Sequence, residues 1–223
     1  MNIGISVLIA VSILIFLGFG HRALDRLQLT DKTALLILVG MLVGGFLPEL
    51  SFFNDFGINI GGGLIPLALV VYLLVKAEAW ERGRSIIASL LTAFIIYGLM
   101  KILPVEPTYN MALDPLFVIA LTAGVMGYIF GRSRRGAFIA AVMGVILNDI
   151  FAFTENMAAG APAPIVIGGA GVFDAIVLAG ILSLGMVEVF GETLERITLA
   201  GKDRKMEEEN RNKDNTEGDE KND

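Results

Sequence analysis

The chain of 223 residues contains no cysteine and a single histidine, His21. Without cysteine the protein cannot form disulfide bonds, bind a metal ion through thiolates or use a cysteine nucleophile. One histidine cannot supply a cluster of histidine metal ligands, and its place at the end of the first apolar run excludes a Ser-His-Asp triad within a membrane. We therefore predict no metal site and no cofactor, and we expect no nucleic-acid partner.

Long apolar runs dominate the sequence, in which 55% of the residues are hydrophobic. Runs of about 17–25 residues match a hydrocarbon core about 30 Å thick, because a helix rises ~1.5 Å per residue. The sequence therefore predicts an all-α bundle of seven transmembrane helices within a domain spanning residues 1–190, with the lipid bilayer as its partner. The predicted spans are 2–20, 34–50, 57–77, 85–103, 115–131, 137–154 and 164–190.

Basic residues are distributed unevenly among the loops between these runs. Alternate loops carry nine of them, whereas the remaining loops carry only Lys101. Because basic loops stay in the cytoplasm, this bias predicts a multi-pass protein of the cell membrane with its N-terminus outside and its C-terminus inside. The cytoplasmic tail, residues 191–223, is rich in charge of both signs, and we predict that it is disordered. The nine basic residues are Arg22, Arg26, Lys32, Lys76, Arg82, Arg84, Arg132, Arg134 and Arg135.

Two segments of the sequence resemble each other. "INIGGGLIPLALV" (58–70) aligns with "IVIGGAGVFDAIV" (165–177) at six identical positions of thirteen. This indicates a parallel 3+1+3 duplication, with repeat 1 at about 2–77, a linker helix at 85–103 and repeat 2 at about 115–190. Parallel repeats occur in transporters. Convergence between two apolar segments of low complexity is the alternative explanation.

Each of the two similar segments contains a cluster of glycines. The first cluster is Gly61, Gly62 and Gly63, and the second is Gly168, Gly169 and Gly171. Glycine destabilises a helix by ~1 kcal/mol relative to alanine, so each cluster favours an unwound segment or a very close helix contact. Paired interruptions of this kind mark the substrate sites of many transporters.

Only the second repeat carries acidic residues inside its apolar runs. Asn148 and Asp149 stand where the first repeat has Gly44 and Gly45, and Asp174 stands where it has Leu67. A charge near the bilayer centre costs ~2.5–3.5 kcal/mol on insertion scales. We therefore predict a buried site that holds or exchanges a proton or cation, formed by Asp174, Asp149, Asn148 and the six clustered glycines. A hydrogen-bonded pair that only packs helices is the alternative.

Three stretches resemble one known family: "NIGGGLIP" (59–66), "GVILNDIF" (144–151) and "GAPAPIVIGGAGVFDAIVLAGIL" (160–182). The chain resembles, over roughly residues 30–187, an uncharacterised family of bacterial and archaeal integral membrane proteins with a Gly-Gly-Ala-Gly-x-Phe-Asp motif. The resemblance implies a prokaryotic membrane protein and places Asp149 and Asp174 at the family's acidic positions. Asn148 departs from the alanine expected before the first acid. The resemblance implies no activity.

Three functions agree with this sequence. The first is a small proton- or cation-coupled transporter or channel, whose transported species would be a proton, a cation or a small neutral solute. The second is an intramembrane aspartyl protease with Asp149 and Asp174 as its catalytic pair, because "GAGVFD" resembles the Gly-x-Gly-Asp motif of presenilins and signal peptide peptidases. Phe173 replaces the glycine of that motif. The third is a structural or assembly protein. Whether the chain is an enzyme stays open, and a homo-oligomer is compatible with each function.

Overall fold

The computed structural model describes residues 18, 27, 29, 31–53, 56–103, 114–160 and 164–190. These residues form the helices α1 (Asp31–Gly44), α2 (Ile65–Lys76), α3 (Ala79–Ile102), α4 (Pro115–Gly131), α5 (Arg134–Ala158) and α6 (Ala175–Phe190). They also form the short strands β1 (Leu50–Phe53), β2 (Phe56–Ile58) and β3 (Ile165–Ile167). The chain divides into two units, Met1–Val187 and Glu188–Asp223, and the second contributes only residues 188–190 to the described structure.

The predicted spans agree with the helices unevenly. The span 115–131 coincides with α4, and the spans 85–103 and 137–154 correspond to α3 and α5. These last two helices, of 24 and 25 residues, are long and apolar enough to cross a membrane. The predicted span 2–20, apart from Gly18, and the predicted tail 191–223 lie outside the described residues. The number of spans and their orientation therefore stay predictions.

The remaining three predicted spans are not continuous helices. Helix α1 ends at Gly44, well before residue 50. The run 57–77 begins as β2, passes through a π-helical turn at Ile60–Leu64 and only then becomes α2. The run 164–190 begins as β3, passes through a 3₁₀ turn at Gly171–Phe173 and then becomes α6. Both departures from the α-helix occur at the glycine clusters. In the second cluster Gly168 and Gly171 have positive φ angles, which glycine adopts without steric cost.

A small sheet precedes the two interrupted helices and corrects the prediction of a purely α-helical fold. Strand β1 pairs antiparallel with β2, and β2 pairs parallel with β3, so that Ile58 lies opposite Ile167. The amide of Asn59 continues this ladder by donating to the Ile167 carbonyl at 2.9 Å. Two segments that are more than a hundred residues apart in the sequence thus enter their helices side by side and in the same direction.

Helices α3 and α5 run parallel and pack closely along their length. Ser133 donates to Glu81 at one end, Thr92 contacts Gly144 midway, and Lys101 pairs with Glu155 at the other end. Helix α4, which links α3 to α5 in the sequence, approaches α5 through glycine. An added Cβ at Gly127 would lie 2.7 Å from the Ala137 carbonyl oxygen, so only glycine permits this approach. Small residues at helix contacts are typical of membrane bundles.

The side chains of α3 are distributed in the opposite way to those of a helix in a soluble protein. Its buried face consists mainly of small and hydroxyl side chains: Ser85, Ala88, Ser89, Thr92, Ala93 and Ile96. Its exposed face carries large apolar side chains: Ile86, Ile87, Leu90, Leu91 and Phe94. A soluble helix buries its large apolar residues, whereas a helix in lipid can expose them. This inversion is the distribution expected of a helix that faces lipid.

Because the protein has no native cysteine, thiol labelling can test this inversion directly. Phe94 is 60% exposed and its neighbour Ala93 is fully buried. In native membranes we expect Phe94→Cys to react with a membrane-soluble maleimide and not with a charged one, and Ala93→Cys to react with neither. Rapid reaction of Phe94→Cys with the charged reagent would show that this face lies in water.

Candidate functional site

Asn59 organises the first interrupted segment. Its side-chain oxygen accepts hydrogen bonds from the amides of Gly61 and Gly62, each at 2.9 Å, and its carbonyl accepts from Gly63 and Leu64. Asn59 is only 3% exposed, so these bonds satisfy amides that would otherwise be buried without partners. The sequence prediction missed this residue, although asparagine before a helix is a common N-cap and could have identified it.

The two glycine clusters meet through their backbones, and α1 joins them. An added Cβ at Gly62 would lie 2.3 Å from the Gly168 oxygen and 2.5 Å from the Gly171 oxygen. One at Gly61 would lie 2.1 Å from the Met41 oxygen, so the end of α1 packs against the same segment. We call this meeting point the glycine crossing, formed by Gly44, Gly45, Gly61, Gly62, Gly63, Gly168 and Gly171.

Five of the six predicted glycines take part in the glycine crossing. Gly63 packs against Ile167, and Gly168 and Gly171 also adopt positive φ angles of 73° and 62°, which L side chains rarely adopt. Gly169 is the exception. It is exposed, and its closest contacts are to Val166 in its own turn.

Asp174 caps α6 and does not lie within a helix. One carboxylate oxygen accepts from the Ile176 amide at 3.0 Å and the other accepts from the Ala170 amide at 3.2 Å. The first contact is the N-cap arrangement, in which a side-chain oxygen satisfies a free amide of the first turn. The positive end of the helix dipole also stabilises the carboxylate there. The interruption at the glycine cluster is what brings this aspartate to a helix start.

Asp149 lies on α5, within electrostatic range of Asp174. The two carboxylates are close enough to interact electrostatically, although no hydrogen bond joins them in the described structure. Among the described residues, the only hydrogen-bond partner of the Asp149 side chain is the amide of Asn148, at a long 3.5 Å. Asn148 is 6% exposed. Asp149 is therefore a partly buried carboxylate whose acceptor sites are largely unused.

The packing of α6 against α5 explains this juxtaposition. Gly180 faces Phe138 and Val142, while Asp174, nearer the start of α6, lies by Asp149, so the two helices are antiparallel. The structure brings five of the predicted glycines together, places Asp174 three residues after Gly171, and leaves Asp149 within electrostatic range of Asp174. A nearby pocket is lined by apolar side chains only and provides no ion ligand: Leu38, Met41, Pro66, Phe138, Val142, Ile176, Val177 and Ile181.

The close approach at the glycine crossing predicts a large effect of one methyl group. Gly62→Ala would place a carbon within 2.5 Å of two backbone oxygens, and the backbone has to shift to accept it. We expect the thermal unfolding midpoint in detergent to fall by several degrees, corresponding to a destabilisation of at least ~1–3 kcal/mol. Gly98→Ala is the matched control, because an added Cβ at Gly98 has no neighbouring atom within 4 Å. Helix propensity predicts that this variant is as stable as the wild type or more stable. Equal midpoints for the two variants would contradict the crossing.

The capping role of Asp174 predicts that its hydrogen-bonding oxygen, rather than its charge, stabilises the fold. Asparagine caps helices about as well as aspartate, whereas alanine costs ~1 kcal/mol. We therefore expect Asp174→Asn to keep the unfolding midpoint close to wild type and Asp174→Ala to lower it. Asp114, which caps α4 by accepting from the Leu116 amide, provides a matched exposed pair of variants. A stable Asp174→Ala variant would contradict the cap.

The comparisons with known proteins give one result. No match was found among curated proteins or among solved structures. The family described as "Protein of unknown function (DUF1614)" matches residues 46–186. This range contains Asp149, Asp174 and every glycine of the glycine crossing except Gly44 and Gly45. The resemblance to an uncharacterised family is thereby confirmed. Since the match covers well over half of the sequence, the chain belongs to the DUF1614 family.

Proposed function

We propose that the chain is a multi-pass membrane protein that acts as a small proton- or cation-coupled transporter or channel, with Asp149 as the ion-binding carboxylate. Two observations carry this proposal: Asp149 lies within electrostatic range of Asp174, and Asp174 caps α6 directly after the glycine crossing, where two interrupted helices meet. A carboxylate within a membrane helix has a high free energy of insertion, and such carboxylates commonly belong to ion or proton pathways.

The two aspartates have different roles in this proposal. Both oxygens of Asp174 already accept backbone amides, so its charge is held in place and it orients the start of α6. Asp149 has one long contact and retains free acceptor sites for a proton or cation. The negative charge of Asp174, within electrostatic range of Asp149, attracts cations to this part of the bundle.

The paired interruptions support transport as the function. In transporters built from repeats, discontinuous helices line the substrate site. Here the corresponding segments of the two proposed repeats lie side by side through parallel pairing of β2 and β3. Copies that run in the same direction would enter their helices in this way. The proposal therefore retains the 3+1+3 duplication, seven spans, an outside N-terminus and a prokaryotic cell membrane.

An intramembrane aspartyl protease is the second candidate, because two carboxylates lie near each other across α5 and α6. A protease pair shares a proton and activates water between its carboxylates. The capping bonds of Asp174 occupy both of its oxygens, and no hydrogen bond connects the acids in the described structure. These contacts favour the transporter over the protease.

Ion flux into liposomes tests the proposal. We expect purified wild-type protein to carry protons or monovalent cations down an imposed gradient, monitored with a pH-sensitive dye and with ion-selective dyes. Asp149→Asn should abolish the flux while the protein stays folded. Asp114→Asn, an exposed capping aspartate, should leave it unchanged. Equal flux of wild type and Asp149→Asn would refute the role of Asp149.

A parallel measurement separates the three functions. If the chain is a protease, Asp149→Asn would stabilise membrane-protein substrates in cells, and the wild type would show no flux in liposomes. If the acids only pack helices, Asp149→Asn would leave both flux and membrane-protein abundance unchanged. Loss of flux with unchanged membrane-protein abundance is the outcome that our proposal predicts.

A further inference from the structure

Two basic stretches of the chain meet at one end of the bundle. Ser133, which precedes α5, donates a hydrogen bond to the Glu81 carboxylate in the first turn of α3 at 2.6 Å. This bond joins the connection between α2 and α3 to the connection between α4 and α5. Both connections belong to the loops that we predict to be cytoplasmic. We call residues 76–84 and 132–135 together the basic end.

The basic end has a large excess of positive charge. It contains six basic side chains and only two acidic ones, Glu78 and Glu81. Glu81 already accepts the hydrogen bond from Ser133. Such an excess attracts anions to this end of the bundle. The six basic residues are Lys76, Arg82, Arg84, Arg132, Arg134 and Arg135.

Two of these arginines flank the contact between Glu81 and Ser133. Arg84 lies three residues after Glu81 and therefore on the same side of α3, and Arg132 directly precedes Ser133. In the described structure no hydrogen bond or ion pair engages either guanidinium. Arg82 differs, because it donates to two backbone carbonyls of the preceding connection. Arg84 and Arg132 are thus the cations available to an anionic ligand.

The environments of Arg84 and Arg132 favour such a ligand. Arg84 is partly buried, and its Nε is buried without a hydrogen-bond partner among the described residues. A buried donor without an acceptor is costly, and an anion nearby would offset part of that cost. Arg132 is exposed and has a φ angle of 56°, which L side chains rarely adopt.

An exposed apolar stripe leads away from Arg84 along α3. Ile87, Leu91 and Phe94 follow Arg84 at intervals of three or four residues, so they share its side of the helix. All three side chains are exposed. A molecule with an anionic head and apolar tails would match both Arg84 and this stripe, whereas a free phosphate ion would use only the arginine.

Aromatic side chains indicate the depth of the basic end in a membrane. Trp80, in the first turn of α3, is 81% exposed. Tyr72 is also exposed, and the Lys76 amine lies 5.9 Å from the centre of its ring. Exposed tryptophan and tyrosine concentrate at the level of the lipid headgroups. In the orientation that we predict, these headgroups belong to the cytoplasmic leaflet, whose anionic lipids attract basic residues.

We propose that the basic end binds the headgroup of an anionic phospholipid, with Arg84 and Arg132 as the residues that bind its phosphate. A guanidinium suits this role, because its planar set of N–H donors matches the geometry of phosphate oxygens. The tails of the same lipid lie along Ile87, Leu91 and Phe94. This inference rests on the membrane location in the proposed function and is independent of ion transport.

Thermal unfolding of the purified full chain in a neutral detergent tests the headgroup site, because a ligand of the folded protein raises the unfolding midpoint. We expect phosphatidylglycerol to raise the midpoint of the wild type by several degrees. Phosphatidylcholine and inorganic phosphate at the same concentration should leave it unchanged. Titration with phosphatidylglycerol should show an affinity about fivefold lower in Arg84→Gln and in Arg132→Gln, the contribution of one basic residue near a charged membrane surface.

Lys101→Gln is the matched control, because it also removes one positive charge but at the opposite end of α3. It should bind phosphatidylglycerol as the wild type does. Arg132 is exposed, so Arg132→Gln keeps the test valid if Arg84→Gln does not fold. An affinity that falls equally in Lys101→Gln and in the arginine variants, or in none of them, would overturn the site.

Two further outcomes separate the ligand and the function. An equal shift with inorganic phosphate alone would overturn the assignment to a lipid, and no shift with phosphatidylglycerol would overturn the site altogether. A shift that depends on Arg84 and Arg132, in a protein that carries no ions into liposomes, would overturn the proposed transport and leave the headgroup site standing. Ion flux through a wild type that shows no lipid shift would have the opposite meaning.

Discussion

The contact between the backbones of Gly62 and Gly168 is the constraint on which the rest of the structure depends. No side chain fits between these two segments, since a single added carbon would lie 2.3 Å from a backbone oxygen. Such close approach leaves amides and carbonyls that have to be satisfied locally in the absence of water. Asn59 satisfies two of the amides, the β2–β3 pairing satisfies others, and Asp174 caps the helix that follows. The placement of Asp174 by Asp149 is a consequence of this arrangement.

A second constraint on the packing of the helices is the close approach of their backbones. Helices α3, α4 and α5 associate through small residues, which is typical of the helices of membrane bundles. This explains why Gly127 meets Ala137 and Thr92 meets Gly144, while Phe94 and Leu91 point outward. Ser85, Ser89 and Thr92 of α3 and Asn148 of α5 are buried polar side chains of these helices.

Sequence patterns predicted the elements whose limits are set by local chemistry. Asp114 caps α4 and Pro115 begins it, so the predicted span 115–131 matched the helix. The glycine clusters likewise indicated where two apolar runs would be interrupted. Tertiary contacts decided the rest. Gly169 belongs to the same cluster as Gly168, yet it stays outside the glycine crossing because the turn directs it away. Asp174 looked like a mid-helix carboxylate because hydropathy ignores backbone angles. The position of Asn59 beside β3 depends on the bond from its amide to the Ile167 carbonyl, a partner distant in sequence.

Disulfide cross-linking across β2 and β3 tests the central claim most directly, namely that the two interrupted segments enter the bundle side by side. Phe56 and Ile165 are opposite each other in this parallel pair. Neighbouring strands lie about 4.8 Å apart, within the Cα separation that a disulfide tolerates. The account predicts that Phe56→Cys/Ile165→Cys cross-links readily in membranes and that Phe56→Cys/Ile167→Cys, two residues out of register, cross-links poorly. Equal cross-linking of both pairs, or of neither in folded protein, would contradict it.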